Sequence, residues 1–244
     1  MDTPRVIGII GAMDEEIELL KRDIAPVKDF EEGGSVFYSG YTGNIRVILL
    51  KCGIGKVNAA IGATLLLSRF RPDYVINTGT AGGLTNRLTV GDTVISTKVI
   101  HHDVDATAFG YVPGQVPKMP GDYAADRRLT RAALEAAEHS GLHGITSGII
   151  ATGDSFMDDP ERIRMLKKTM PAAAAAEMEA AAVAQVCYQF STPFVVIRSI
   201  SDIAGEKSAV SFNTFLHTAA RNSATLVMEM ITLLSKEGPV GKRQ

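Results

Sequence analysis

A single α/β domain built on a mixed sheet is what this sequence predicts, and three observations predict it. Short runs rich in Val and Ile recur at 6–10, 47–50, 74–77, 93–96, 145–150 and 194–200, as strands buried on both faces require. Stretches with helical apolar spacing lie between most of them, at 14–22, 56–70, 126–139, 161–168, 180–188 and 212–234, and such alternation builds layered α/β folds. Residues 35–41 and 45–50 break the alternation. Only Thr42-Gly43-Asn44 separates them, which is short enough for a β-hairpin and makes the sheet mixed.

Taken in order, the first strand runs into Gly11-Ala12-Met13-Asp14-Glu15-Glu16, where three acids suit the positive end of a helix. Lys56 opens the next helix, after a turn through Gly53 and Gly55. Asp159-Pro160 is a helix entry with Pro at the first helical position, and Ser211 is a candidate cap for the last helix. The run from Pro171 to Ala182 is ambiguous: alanine favours helix throughout, whereas 174–178 has to be a strand if a slot between two helices must be filled, since small side chains fit a strand crowded on both faces. Residues 1–237 are expected to form the domain and 238–244 a polar tail.

With 25 basic against 27 acidic side chains and a net charge of −2, no electrostatic case exists for nucleic acid or an anionic membrane. At 45% hydrophobic and 21% charged the chain has the composition of a folded protein with a core. Cys52 and Cys187 lie far apart in apolar segments, which suits buried free thiols in a reducing compartment. Neither a signal-like segment nor a long apolar run is present, so the expected location is the cytoplasm.

Ligands in open α/β sheets bind beyond the carboxyl ends of strands, and five such places are marked by glycines or carboxylates: 11–16, 51–56, 77–83, 151–156 and 198–202. Gly53-Ile54-Gly55-Lys56 fails the phosphate-loop spacing, because position 50 is Leu and Val57 follows the Lys. His101-His102-Asp103-Val104-Asp105 has metal-ligand residue types, but neighbouring histidines diverge and the others are dispersed, which argues against a metal. No Gly-x-Ser-x-Gly elbow is present. What remains is a set of carboxylates, Glu16, Glu177, Glu179 and Asp202, suited to cleaving a glycosidic bond through a cationic sugar transition state. One of the acids at 14–16, beside apolar Met13, suits a general base that activates water.

Six segments in colinear order carry a family resemblance: 9–16, 53–57, 77–83, 107–111, Glu177-Met178-Glu179 and 198–202. From about residue 6 to 234 the chain resembles the 5′-methylthioadenosine/S-adenosylhomocysteine nucleosidases. The resemblance implies the nucleoside phosphorylase-like three-layer α/β/α fold, no cofactor, a small-molecule nucleoside substrate and a homodimer. It implies that Asp202 is the acid protonating adenine N7, that Glu16 is the base for water, and that Glu179 holds the ribose hydroxyls with Met178 against the sugar. Arg198 matches an arginine near the ribose and the water. Phe156 matches the ring that stacks on adenine, with the backbone at 156 and Met157, and Ser201, reading the base. Thr80, Gly82 and Ala12 line the same site. Met13, Ile54 and Phe212 form the pocket for the 5′ substituent, which Phe109 reaches from the partner subunit.

Three positions depart from the commonest pattern: Thr80 where Ser is usual, Met157 where Ile or Val is usual, and Ala106 where a larger apolar residue lines the partner's wall. Thr80 keeps a hydroxyl, while Ala106 widens the pocket and bears on which 5′ substituents fit. Rival readings are a phosphate-dependent phosphorylase, a futalosine-type nucleosidase and a non-catalytic nucleoside binder. The first turn and the central Gly-rich segment contain no arginine, so a phosphate there would meet Asp14, Glu15 and Glu16.

Overall fold

In the computed structural model, which describes residues 5–24, 28–205 and 208–236, the elements alternate largely as the pattern requires. They are β1 (Arg5–Gly11), α1 (Asp14–Asp23), β2 (Lys28–Glu32), β3 (Ser35–Thr42), β4 (Ile45–Lys51), α2 (Lys56–Phe70), β5 (Tyr74–Gly83), β6 (Thr93–His101), β7 (Tyr123–Ala124), α3 (Arg127–His139), β8 (Ile145–Thr152), α4 (Pro160–Thr169), β9 (Ala173–Glu177), α5 (Ala180–Gln189), β10 (Phe194–Ile203) and α6 (Ser208–Lys236). The proposed tail at 238–244 lies outside the described residues. Among those residues no helix is long and apolar enough to cross a membrane.

Strand alternation sorts the core into two layers. On β1 and β4, Ile7, Ile9, Val47 and Leu49 face α1, α3 and α6, while Ile10, Ile48 and Leu50 face α2 and α5; both faces are buried, so these strands read as continuous apolar runs. At Gly8 helix α2 comes so close that a side chain would meet Leu66 at 2.7 Å. The sheet order is β10-β6-β8-β9-β5-β1-β4-β3-β2, and β10 also pairs with β5. That extra pairing rolls five strands into a closed ring, with β10 parallel to β5 and antiparallel to β6. The 35–50 hairpin forms as expected.

Several expectations are corrected. Residues 78–83 and 201–202, expected beyond the ends of the strands at 74–77 and 194–200, belong to β5 and β10, which pair from Asn77↔Val196 to Gly83↔Ile203. Glycine and hydroxyl residues there satisfy crowding at the centre of the ring instead of marking turns. The charged strand β2 and the two-residue β7 were not read from the sequence. Ser211 does not cap α6, which begins at Ser208; its hydroxyl instead donates to the Ser201 carbonyl at 3.1 Å. The alanine run divides in two. Residues 173–177 form β9 between β8 and β5, where a side chain at Gly148 would meet Ala174 at 2.7 Å, and α5 starts three residues later. Tertiary context overrides helix propensity over the first half only.

Candidate active site

Glu16 stands in the first turn of α1, and its carboxylate turns back toward the sheet. Oε2 accepts the Ala12 and Met13 amides at 2.8 and 3.2 Å, and Oε1 accepts the Thr80 amide and hydroxyl at 2.9 and 3.2 Å. Four donors fix both oxygens. Its neighbour Asp14 does something different, pairing with Lys51 at the surface at 2.8 Å. Beside Glu16 lies Gly79, with φ +153; a side chain there would collide with the Glu16 carboxylate and meet Arg198 Nη1 at 2.9 Å, so both the backbone angle and the space demand glycine.

Arg198 rises from the middle of β10 and is 1% exposed. Nη2 donates to Asn77 Oδ1 at 2.9 Å and Glu177 Oε2 at 2.6 Å, and Glu179 Oε2 lies 3.6 Å away. Its Nε and Nη1 have no hydrogen-bond partner among the described residues. Glu177, at the end of β9, also accepts the amides of Glu179 and Ala180 and the Thr152 hydroxyl, so it serves as the anion at the N-terminus of α5. Glu179 accepts the Gly55 amide at 2.8 Å. Burial above all, then the charges of Glu177 and Glu16, push its carboxyl pKa up to about 8 against the pull of Arg198.

At the other pole, Asp202 is 2% exposed. Burial raises its pKa, opposed by hydrogen bonds from Ser201, at 2.9 Å, and Ser208. The β10 register slips between Ile200 and Asp202. Successive side chains of a regular strand point to opposite faces; this bulge lets Ser201 and Asp202 face the same cavity, a use to which bulges near active sites are often put.

The cavity between the poles has a volume of about 290 Å³. It is lined by Ala12, Met13, Glu16, Ile54, Thr80, Ala81, Gly82, Phe156, Ala176, Glu177, Met178, Glu179, Ser201, Asp202 and Phe212. Phe156 and Phe212 meet edge to face at its mouth, ring centroids 5.8 Å apart. Arg198, Met157 and Phe109 are not among the lining; of these, Met157 is expected there only through its backbone and Phe109 only in the partner's cavity. Arg198 lies behind the carboxylates. The Met157 side chain packs into the cluster around α4 with Ile163 and Leu166. Phe109 sits on a 3₁₀ turn, 83% exposed, away from this chain's own cavity. Glu177 was noted as one of four carboxylates without a role; its position directly before an alanine-rich helix was the available signal.

Residues 6–232 match the model of the Phosphorylase superfamily. The 5′-methylthioadenosine/S-adenosylhomocysteine nucleosidase of Anoxybacillus flavithermus is 56% identical over 230 residues, covering 94% of this chain and 99% of that protein. The chain belongs to this nucleosidase family. Its three-layer fold is that of the family's Neisseria meningitidis member, solved in complex with methylthio-immucillin-A, at a TM-score of 0.92, 46% identity, and 94% and 99% coverage of the two chains. The futalosine hydrolase of Helicobacter pylori shares the fold at a TM-score of 0.90 and 34% identity, over 94% of this chain and 98% of that one. Against that family background the cavity's lining residues acquire a common purpose: carboxylates at both ends and apolar side chains between them.

Proposed function

We propose that this chain hydrolyses the N-glycosidic bond of 5′-methylthioadenosine and S-adenosylhomocysteine, giving adenine and the 5′-thio-substituted ribose. The observation that carries the reading is the layout of the cavity, with buried Asp202 at one pole and, at the other, the Glu16 carboxylate held on both oxygens by four donors. Asp202 donates its proton to adenine N7, so the C1′–N9 bond breaks with its electron pair going to a neutral base rather than an anion. Glu16 takes a proton from the water whose oxygen bonds to C1′. The open donors of Arg198 support a place for that water. Glu179 accepts the ribose hydroxyls, and the Glu16 carboxylate at this pole stabilises the cationic sugar. Met178 lies against the sugar, and Phe156 stacks on the base, with Ser201 and the 156–157 backbone orienting it. Met13, Ile54 and Phe212 receive the 5′ substituent, an apolar setting that also suits a plain 5′-deoxy carbon.

A phosphorylase would need cations for its phosphate. Here Glu16, Glu177 and Glu179 surround a single guanidinium, and the nearby ammoniums of Lys51 and Lys56 are engaged by Asp14 and Asp103. Adenine release from 5′-methylthioadenosine is therefore expected to proceed in phosphate-free buffer and to yield methylthioribose whether or not phosphate is added. Formation of the sugar 1-phosphate would overturn the hydrolase reading.

Phe109 and Val112, both exposed and three residues apart on one segment, support a homodimer in which this segment completes the partner's 5′ pocket, since neighbouring exposed apolar side chains mark interaction surfaces. Light scattering is expected to give twice the chain mass, and a Phe109→Ala variant a raised KM. The buried free thiols of Cys52 and Cys187 support a reducing, cytoplasmic setting.

A further inference from the structure

Three turns that follow strands meet at one side chain that the reaction does not touch. Asp103, just past β6, accepts Lys56 Nζ on Oδ1 at 2.6 Å and the Asp154 amide on Oδ2 at 3.0 Å. Asp154 in turn accepts the Lys56 amide at 2.7 Å, which closes the circuit between the turn after β4 and the turn after β8. Beneath this circuit the His102 amide donates to the Thr152 carbonyl at 2.7 Å, and the His102 ring occupies the space that any side chain at Gly153 would need. The Lys56 and Asp103 side chains are only 20% and 27% exposed, so their pairing is shielded more than an open surface pair. Half-burial alone would raise the Asp103 pKa, yet the Lys56 ammonium and the Asp154 amide outweigh it and hold the group below its usual value.

Each linked turn carries one wall of the cavity. On the Lys56 side are Ile54 and the Gly55 amide that holds Glu179; on the Asp154 side, two residues on, is Phe156. We propose that Asp103 is a positioning residue for the reaction: its charge draws these two turns together and so sets the spacing between the carboxylate that grips the sugar and the ring that covers the base. The inference deepens the nucleosidase reading and rests on it. Asp202 on β10 and Glu16 on α1 have no contact with this circuit. Losing it loosens substrate binding and leaves the proton transfers intact.

The test uses Asp103→Asn, Lys56→Met and the double variant. Each single variant is expected to raise KM for 5′-methylthioadenosine about tenfold while kcat stays within about threefold, the pattern of lost uniform binding. The double variant is expected to add nothing further, because both changes break one link. Amide hydrogen exchange at 53–56 and 153–156 is expected to quicken in all three, a readout independent of turnover. Wild type that releases no adenine would sink the nucleosidase reading, with exchange still deciding whether the link holds the turns. With an active wild type, an unchanged KM, a fall in kcat together with melting temperature, or additive effects in the double variant would each overturn the positioning role.

Discussion

Asp202→Asn is expected to lower the rate of adenine release by about 10² to 10⁴, the usual contribution of a positioned general acid, and to leave the fold intact. Asparagine keeps the shape and can still accept from Ser201, so the bulged end of β10 retains its bonding while the proton is gone. Burial raises the Asp202 pKa, which means the donor form persists to higher pH than in an ordinary aspartate. Wild-type activity should fall as pH climbs through that raised value, and the residual activity of the variant should not follow the same descent. A steady-state pH profile beside a thermal melt measures both. Full activity in Asp202→Asn would move the acid elsewhere.

Glu177→Ala carries the largest expected cost to stability. The substitution strips the 2.6 Å partner from a guanidinium that is 1% exposed and removes the anion that accepts the first amides of α5. Breaking a buried ion pair from one side costs about 3–5 kcal/mol, because the remaining charge stays desolvated. For a protein of this size that corresponds to a fall in melting temperature of roughly 10 °C. Chemical denaturation would report the same loss, and turnover would suffer with it, since Glu177 holds the Glu179 amide and Arg198 together. An unchanged midpoint would show that Glu179 alone suffices to neutralise Arg198.

The sequence locates the residues that line the cavity more fully than the backbone that holds them. Helix α2 runs over 56–70 as its apolar spacing requires, and Asp159-Pro160 opens α4 as expected, because those signals are local. The strands run on past 77 and 200 for a reason that no local pattern carries: glycines and hydroxyl residues usually mark turns, and only the closing of β10 against β5 makes 78–83 and 201–202 the residues a crowded strand needs. The register slip that aims Asp202 inward has no local signature. The fates of Met157, which packs toward α4, and Arg198, which sits behind the carboxylates, depend on neighbours far away in the chain. The motif gives the position of each along the chain and not the direction of its side chain.

The pairing of β5 with both β1 and β10 has a meaning for the protein's birth as well as for its chemistry. Glu16 precedes β5 in the chain and Asp202 follows it, and β5, paired with both β1 and β10, brings the two to one cavity. A nascent chain that has not yet reached β10 lacks one pole of that cavity, so the site is completed only when β10 closes against β5.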